Sequence, residues 1–215
     1  MKRQAINIFV LFSITLMTAL PVNANPTPEM IQLYYQAADG DESKTEAAYD
    51  TLTALIEQEG ARPLTLVYQG SAETLLGRDA WMPWNKMKYV EQGLAKIEKG
   101  LNLISTDSLP LPEQERVLGL PEYQLSRAMA ATTYTQLPDM FNHFDPGYDL
   151  YLQLLEEPEF LQQPFAASAW VYRYAIEAAV KAEDRQQAQK WLTLMEEKQR
   201  NNPETVAARQ FISEN

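Results

Sequence analysis

Between Pro63 and Ile104, apolar residues recur at intervals of three and four on two consecutive stripes. Leu64, Val67, Tyr68, Ser71, Ala72, Leu75 and Leu76 form the first stripe, one face of a helix with 3.6 residues per turn. Pro63 suits a first helical turn, where its missing N–H has no partner to lose. Gly77 reads as the end of this helix and residues 78–82 as a turn. Pro83 opens the next helix, in which Trp84, Met87, Val90, Leu94, Ile97, Leu101 and Ile104 hold a narrow seam. Inside these stripes lie Gly70, Gly93 and Gly100. A glycine within a helix costs roughly 1 kcal/mol relative to alanine, so three in one hairpin predict close backbone approach. Gly70 and Gly93 are placed to meet, with Gly77 and Gly100 one heptad away on their own helices. Tyr68, Gly70, Gly77, Gly93 and Gly100 are therefore the structural residues expected at a helix crossing.

The same periodicity runs through the rest of the chain. Met30, Leu33, Tyr34, Ala37 and Ala38 predict a first helix, broken at Asp39-Gly40-Asp41, and Ala48, Leu52, Leu55 and Ile56 a second, stopped at Gly60. Residues 105–120 contain two prolines two apart and read as an extended excursion with one helical turn near 113–117. Long connections of this kind are often functional. A helix rich in small residues is expected from Pro121 to about Gln136. Residues 142–147 read as a turn cluster, followed by helices around Tyr151, Trp170, Trp191 and after Pro203. No stretch alternates as a strand would. The expectation is an all-α chain of nine helices.

The first 24 residues read as a signal peptide. Lys2 and Arg3 form a positive start, residues 8–20 a short apolar run, and Val22-Asn23-Ala24 a cleavage site with small residues at the two recognised positions. The run is shorter than the ~18–20 residues that span a bilayer. The expectation is cleavage after Ala24, a single domain over 25–215 and no membrane span thereafter. The chain has no cysteine, which excludes disulfides, thiolate metal sites, a cysteine nucleophile and a lipid-bearing N-terminal cysteine. A small exported domain without disulfides fits a bacterial envelope better than a eukaryotic secretory route, so a periplasmic or secreted location is expected. With 29 acidic against 18 basic residues, the net charge is −11, and losing Lys2 and Arg3 moves it to about −13. Such a surface repels nucleic acid. The stretch from Arg78 to Lys99 is the exception, with five cations and three carboxylates.

The first helices of successive pairs start near residues 28, 63, 121 and 164. The first interval is close to the ~34 residues of a tetratricopeptide hairpin; the others are longer. The run Tyr68-Gln69-Gly70-Ser71, Leu75 to Trp81 and Pro83-Trp84-Asn85-Lys86 leads into Gly93-Leu94 and Gly100-Leu101. With the later Arg127, Leu137-Pro138 and Phe141, it resembles a family of exported bacterial tetratricopeptide-like proteins. The resemblance covers about residues 30–160. It implies a right-handed stack of antiparallel helix hairpins with irregular repeats, and it carries no assigned reaction.

No residue is expected to be catalytic, and no metal or cofactor is implied. His143 is the only histidine, which rules out a multi-histidine metal site; it reads as a solvated turn residue. Asp39-Gly40-Asp41-Glu42 lacks the ligand spacing of a calcium loop and reads as a helix-end turn. A pair of carboxylates could hydrolyse a glycoside, but none stands out by placement. The remaining candidates are Arg78, Trp81, Trp84, Lys86 and Lys88. Either Trp81 and Trp84 close the hairpin end while Arg78 pairs with Asp79, or the group forms a partner-binding surface, since Trp and Arg dominate interface hot spots. On the second reading, Arg78→Ala should leave the fold nearly intact and weaken a partner. The favoured function is an exported, non-enzymatic helical-repeat adaptor for another envelope protein or peptide. The alternatives are a carrier of a small or apolar ligand and, less favoured, an acid hydrolase.

Overall fold

Ten α-helices account for most of the chain in a computed structural model that describes residues 25–107 and 109–215, the side chains of 105–107 excepted. The expected signal peptide lies outside the described residues. The helices are α1 (Pro28–Ala38), α2 (Thr45–Glu59), α3 (Pro63–Asp79), α4 (Pro83–Asp107), α5 (Glu122–Gln136), α6 (Phe144–Glu156), α7 (Pro158–Leu161), α8 (Phe165–Lys181), α9 (Arg185–Gln199) and α10 (Pro203–Glu214). Prolines open α1, α3, α4, α7 and α10. Side-chain caps satisfy first-turn amides where the sequence supplies them: Asp184 accepts from the Gln187 N–H and Asn202 from the Glu204 N–H.

The all-α expectation holds, with local corrections. Helix α3 runs two residues beyond Gly77, because Gly77 keeps helical geometry and packs against α4 instead of ending the turn. Helix α6 begins inside the expected turn cluster, at Phe144. The single-turn helix α7 (Pro158–Leu161) brings the count among the described residues to ten. The excursion before α5 contains a short 3-10 turn at Leu111–Glu113 and a small antiparallel hairpin, β1 (Arg116–Val117) and β2 (Leu120–Pro121). Its two-residue turn, Leu118-Gly119, has both residues at positive φ, the backbone that matches the twist of paired strands. The hairpin is anchored: Arg116 donates to the Gly119 carbonyl at 2.5 Å and to Gln163 at 2.6 Å.

Helices pack as neighbours in the chain, α1 with α2, α3 with α4, α5 with α6 and α8 with α9. The first member of each pair also packs on the next pair's first member, α1 on α3, α3 on α5 and α5 on α8. One hydrophobic cluster runs continuously from Ile31 to Ala208.

The largest departure from the sequence reading concerns α3. Its stripe predicts one buried face, yet every residue from Leu64 to Thr74 is buried, because α1, α2, α4 and α5 enclose the helix. Its polar side chains survive burial by finding partners, as buried polar groups must. Gln69 donates to the Thr53 hydroxyl at 2.8 Å, the Ser71 and Thr133 hydroxyls bond at 2.7 Å, and Glu73 takes the Lys96 ammonium at 2.5 Å.

The expected glycine crossing is present. A Cβ added at Gly93 would stand 2.5 Å from the Gly70 carbonyl oxygen, and one at Gly70 would strike the Gly93 carbonyl in return. At Gly77 the obstruction is Val90 at 2.6 Å and the Lys86 carbonyl at 3.0 Å; at Gly100 it is the Pro63 carbonyl at 2.8 Å. Residue 63 thus faces 100, 70 faces 93 and 77 faces 86, the heptad register of an antiparallel pair. Tyr68, on the same helix, is fully buried with its ring edge-on to Tyr34.

Because the obstruction is backbone, side chains cannot relax away from it. Gly93→Leu is expected to lower unfolding stability by about 1–3 kcal/mol. Gly93→Ala should also be destabilising, although alanine is the better helix former by roughly 1 kcal/mol. Urea unfolding of both variants checks this; an alanine variant as stable as the parent would mean that the helices do not meet at Gly93.

Candidate binding cleft

The end of the α3–α4 crossing opens into a cleft of about 720 Å³. Four parts of the chain meet there: the last turns of α1 and α3, the first two turns of α4, and the end of α5 with the segment that follows it through a 3-10 turn at Asp139–Phe141. Tyr34, Thr74, Gly77, Val90 and Thr133 form a buried floor, while Leu75, Met87, Leu137 and Phe141 are half-buried walls. Pro83, Met140 and Lys86 are exposed at the margin.

The floor is internally satisfied. The Thr74 hydroxyl donates to the Ser71 carbonyl at 2.8 Å, and the Thr133 hydroxyl is held by Ser71. Burial pushes the Tyr34 hydroxyl far above its ordinary pKa, against the hydrogen bonds from Thr133 and Ser71, so it stays neutral. The floor therefore offers surface to apolar groups and no spare charge.

Of the residues singled out by sequence, Arg78 and Lys86 line this cleft. Arg78 donates from Nε to Asp79 Oδ1 at 2.6 Å and from Nη2 to Asp79 Oδ2 at 3.1 Å. It also donates to the carbonyls of Ala37 at 3.0 Å and Ala38 at 3.3 Å, the last of α1. Asp79 in turn accepts the Thr45 hydroxyl at 2.7 Å. The Arg78–Asp79 pair thus fastens the end of α3 to the end of α1 and the start of α2, a placement that favours cations at a helix C-terminus. Lys86 donates to the Arg78 carbonyl at 2.8 Å. Lys88 stands further along α4, its ammonium 5.9 Å from the Tyr89 ring centre.

Trp81 and Trp84 do not close the hairpin end: they are 84% and 66% exposed. Trp81 lies in the short α3–α4 connection and Trp84 in the first turn of α4, and the crossing itself is already closed by glycine, Val90 and backbone. Met140 is 65% exposed. Three of the seven exposed large apolar side chains among the described residues therefore lie at or beside this cleft.

Sequence reasoning did not find the α1 and post-α5 walls. Residues 34–38 and 136–141 lie far from Lys86 along the chain, and no periodicity links them. His143 is also not a free turn side chain: its ring packs edge-on against Tyr134, 5.0 Å between centres, and Nδ1 lies 2.5 Å from the Phe141 carbonyl. Asp39 to Glu42 form the expected helix-end turn, with Asp41 accepting from the Ser43 N–H. Among the described residues no three His, Cys, Asp or Glu side chains gather as a metal site, and no helix is long and apolar enough to cross a membrane. Comparisons with protein families, curated proteins and solved structures find no match to this chain.

Burial acts to raise the Asp79 carboxyl, but hydrogen bonds from Arg78 and Thr45 and the charges of Arg78 and Lys86 outweigh it and hold the group below its ordinary value of 3.8. A depressed folded-state pKa stabilises the fold above the unfolded-state pKa, and that contribution is lost as pH falls through the folded-state value. Thermal stability should therefore fall below about pH 4, less steeply in Asp79→Asn than in the parent. Arg78→Ala is expected to cost about 1 kcal/mol at neutral pH, so the expectation of a nearly unperturbed fold is revised. A melting curve identical to the parent's would show that the tie to α1 carries no stability.

Proposed function

We propose that the protein is an exported, non-enzymatic helical-repeat adaptor that holds an apolar segment of a partner envelope protein in the cleft between α1, α3, α4 and the end of α5. The observation that carries this reading is the coincidence of an apolar cleft with exposed Met140 at its margin and exposed Trp81 and Trp84 on either side of the lining residue Pro83 in the chain. An exposed apolar patch joined to a concavity is the usual mark of a docking site on an otherwise polar surface. Trp84 and the methionines suit such a role, because indoles supply rigid contact area and thioethers adapt to varied shapes. The pairwise packing of α1/α2, α3/α4, α5/α6 and α8/α9, with first helices packed in succession, supports the tetratricopeptide-like stack as the scaffold. Stacks of this kind use surfaces between repeats for binding.

The volume of the cleft favours a second reading as well. About 720 Å³ lies within the ~300–1,000 Å³ of small-molecule sites, so a carrier of an apolar metabolite would fit the same walls.

A photo-crosslinking residue at position 140 of the full chain, expressed in its native host, separates the two. The adaptor predicts one discrete protein adduct at 140 that is absent with the same label at Lys190 and lost in Met87→Glu. An adduct of a few hundred daltons would support the carrier instead. Labelling at 140 no different from that at 190 would sink both readings of the cleft.

A further inference from the structure

The charges around the cleft run against those of the molecule. In a chain with 29 acidic and 18 basic residues, the cleft is lined by Arg78 and Lys86 and by no carboxylate. Five acidic residues lie next in the chain to its lining residues: Asp39 and Glu91 are exposed, Glu73 holds Lys96, and the other two are engaged as well. Asp79 is held by Arg78 and Thr45, and Asp139 pairs with Lys181 at 2.9 Å. Arg78 is likewise committed to Asp79 and the end of α1. Lys86 is different. It is exposed, and its ammonium donates to the Arg78 carbonyl, which leaves two of its three protons to give. It takes part in none of the ion pairs among the described residues.

The placement of the charge decides what it can recognise. The floor is apolar, with the Thr74 hydroxyl given to the Ser71 carbonyl and the Thr133 hydroxyl bonded to that of Ser71, while Lys86 stands at the solvent margin beside Pro83 and Met87. A ligand would bury its apolar part in the floor and keep its anionic group at the margin. A chain end buried at the floor would meet no cation there.

On this geometry we infer that the occupant is a peptide segment in which an Asp or Glu side chain flanks the apolar anchors, and that Lys86 selects it. The inference rests on the adaptor reading of the cleft. Exposed ion pairs contribute about 0.2–1 kcal/mol, so selection by Lys86 amounts to a preference of up to about fivefold, weakened by salt.

A peptide library with fixed Leu and Phe anchors, random flanking positions and an amidated C-terminus provides the test. It is selected against the full chain, Lys86→Glu and Met140→Glu. The expected result is enrichment of Asp and Glu beside the anchors by the parent, and enrichment of Lys and Arg by Lys86→Glu. A resynthesised parent-selected peptide should bind Lys86→Glu about fivefold or more weakly at low salt, and the gap should narrow at 0.5 M salt. Apolar anchors enriched with no charge preference would overturn the role of Lys86 and leave the cleft standing. Enrichment only when the C-terminus is free would replace the acidic side chain by a chain end and also overturn it. Equal enrichment by the parent and Met140→Glu would remove the cleft as the binding site, and the inference with it. Both substituted residues are exposed, and circular dichroism of the variants confirms that they fold.

Discussion

The contact between the backbones of α3 and α4 determines most of what surrounds it. Where Gly70 meets Gly93, each glycine lies against the other's carbonyl, and at Gly77 the Val90 side chain and the Lys86 carbonyl come nearly as close. Helix α4 packs closely along one side of α3, and α1, α2 and α5 close over the remaining sides. That enclosure is why α3 is buried all round, and why each of its polar residues is paired with a neighbour. A buried polar group without a partner would cost about 1–3 kcal/mol. The pairs Gln69–Thr53, Ser71–Thr133 and Glu73–Lys96 connect α3 to three different helices, so the polar layer also fixes which neighbour faces which side.

The cleft is a consequence of the same crossing. Gly77, Lys86 and Val90 belong both to the last contact of the crossing and to the cleft wall. Beyond that point the chain turns too quickly for α3 and α4 to cover each other. The turn carries two tryptophans outward, and the segment after α5 supplies the opposite wall. Arg78 holds the arrangement by tying α3 to the end of α1. Its role is positional, and on the proposed reading the charge offered to a partner is that of Lys86. An apolar floor with the Lys86 ammonium at its margin is a small set of constraints, and the proposed ligand chemistry rests on it.

Much of the architecture was legible in the residues. The three-four periodicity of residues 63–104 marked the hairpin, and the heptad spacing of four glycines predicted the register of its crossing. Prolines marked several helix starts. These features are local: they depend on the geometry of a single helix or of two joined by a short turn. The positions of Arg78, Trp81, Trp84, Lys86 and Lys88 at one end of that hairpin followed for the same reason. Other elements were not legible. Gly77 looked like a helix stop because a glycine that ends a helix and one that packs against a neighbour look the same in sequence. The Leu118-Gly119 hairpin was too short to show alternation.

The sequence by itself determined the helical class, the antiparallel α3–α4 pair with its register, and the charge contrast of residues 78–99 against an acidic chain, because each follows from periodicity, spacing or counting. Tertiary structure alone decided that α3 is the buried centre, that Trp81 and Trp84 face solvent, and that residues 34–38 and 137–141 complete a cleft with Lys86. Those outcomes depend on contacts between separate helices, from 16 residues apart for Thr53 and Gln69 to 62 for Ser71 and Thr133, and no local pattern records which helix will cover a given face.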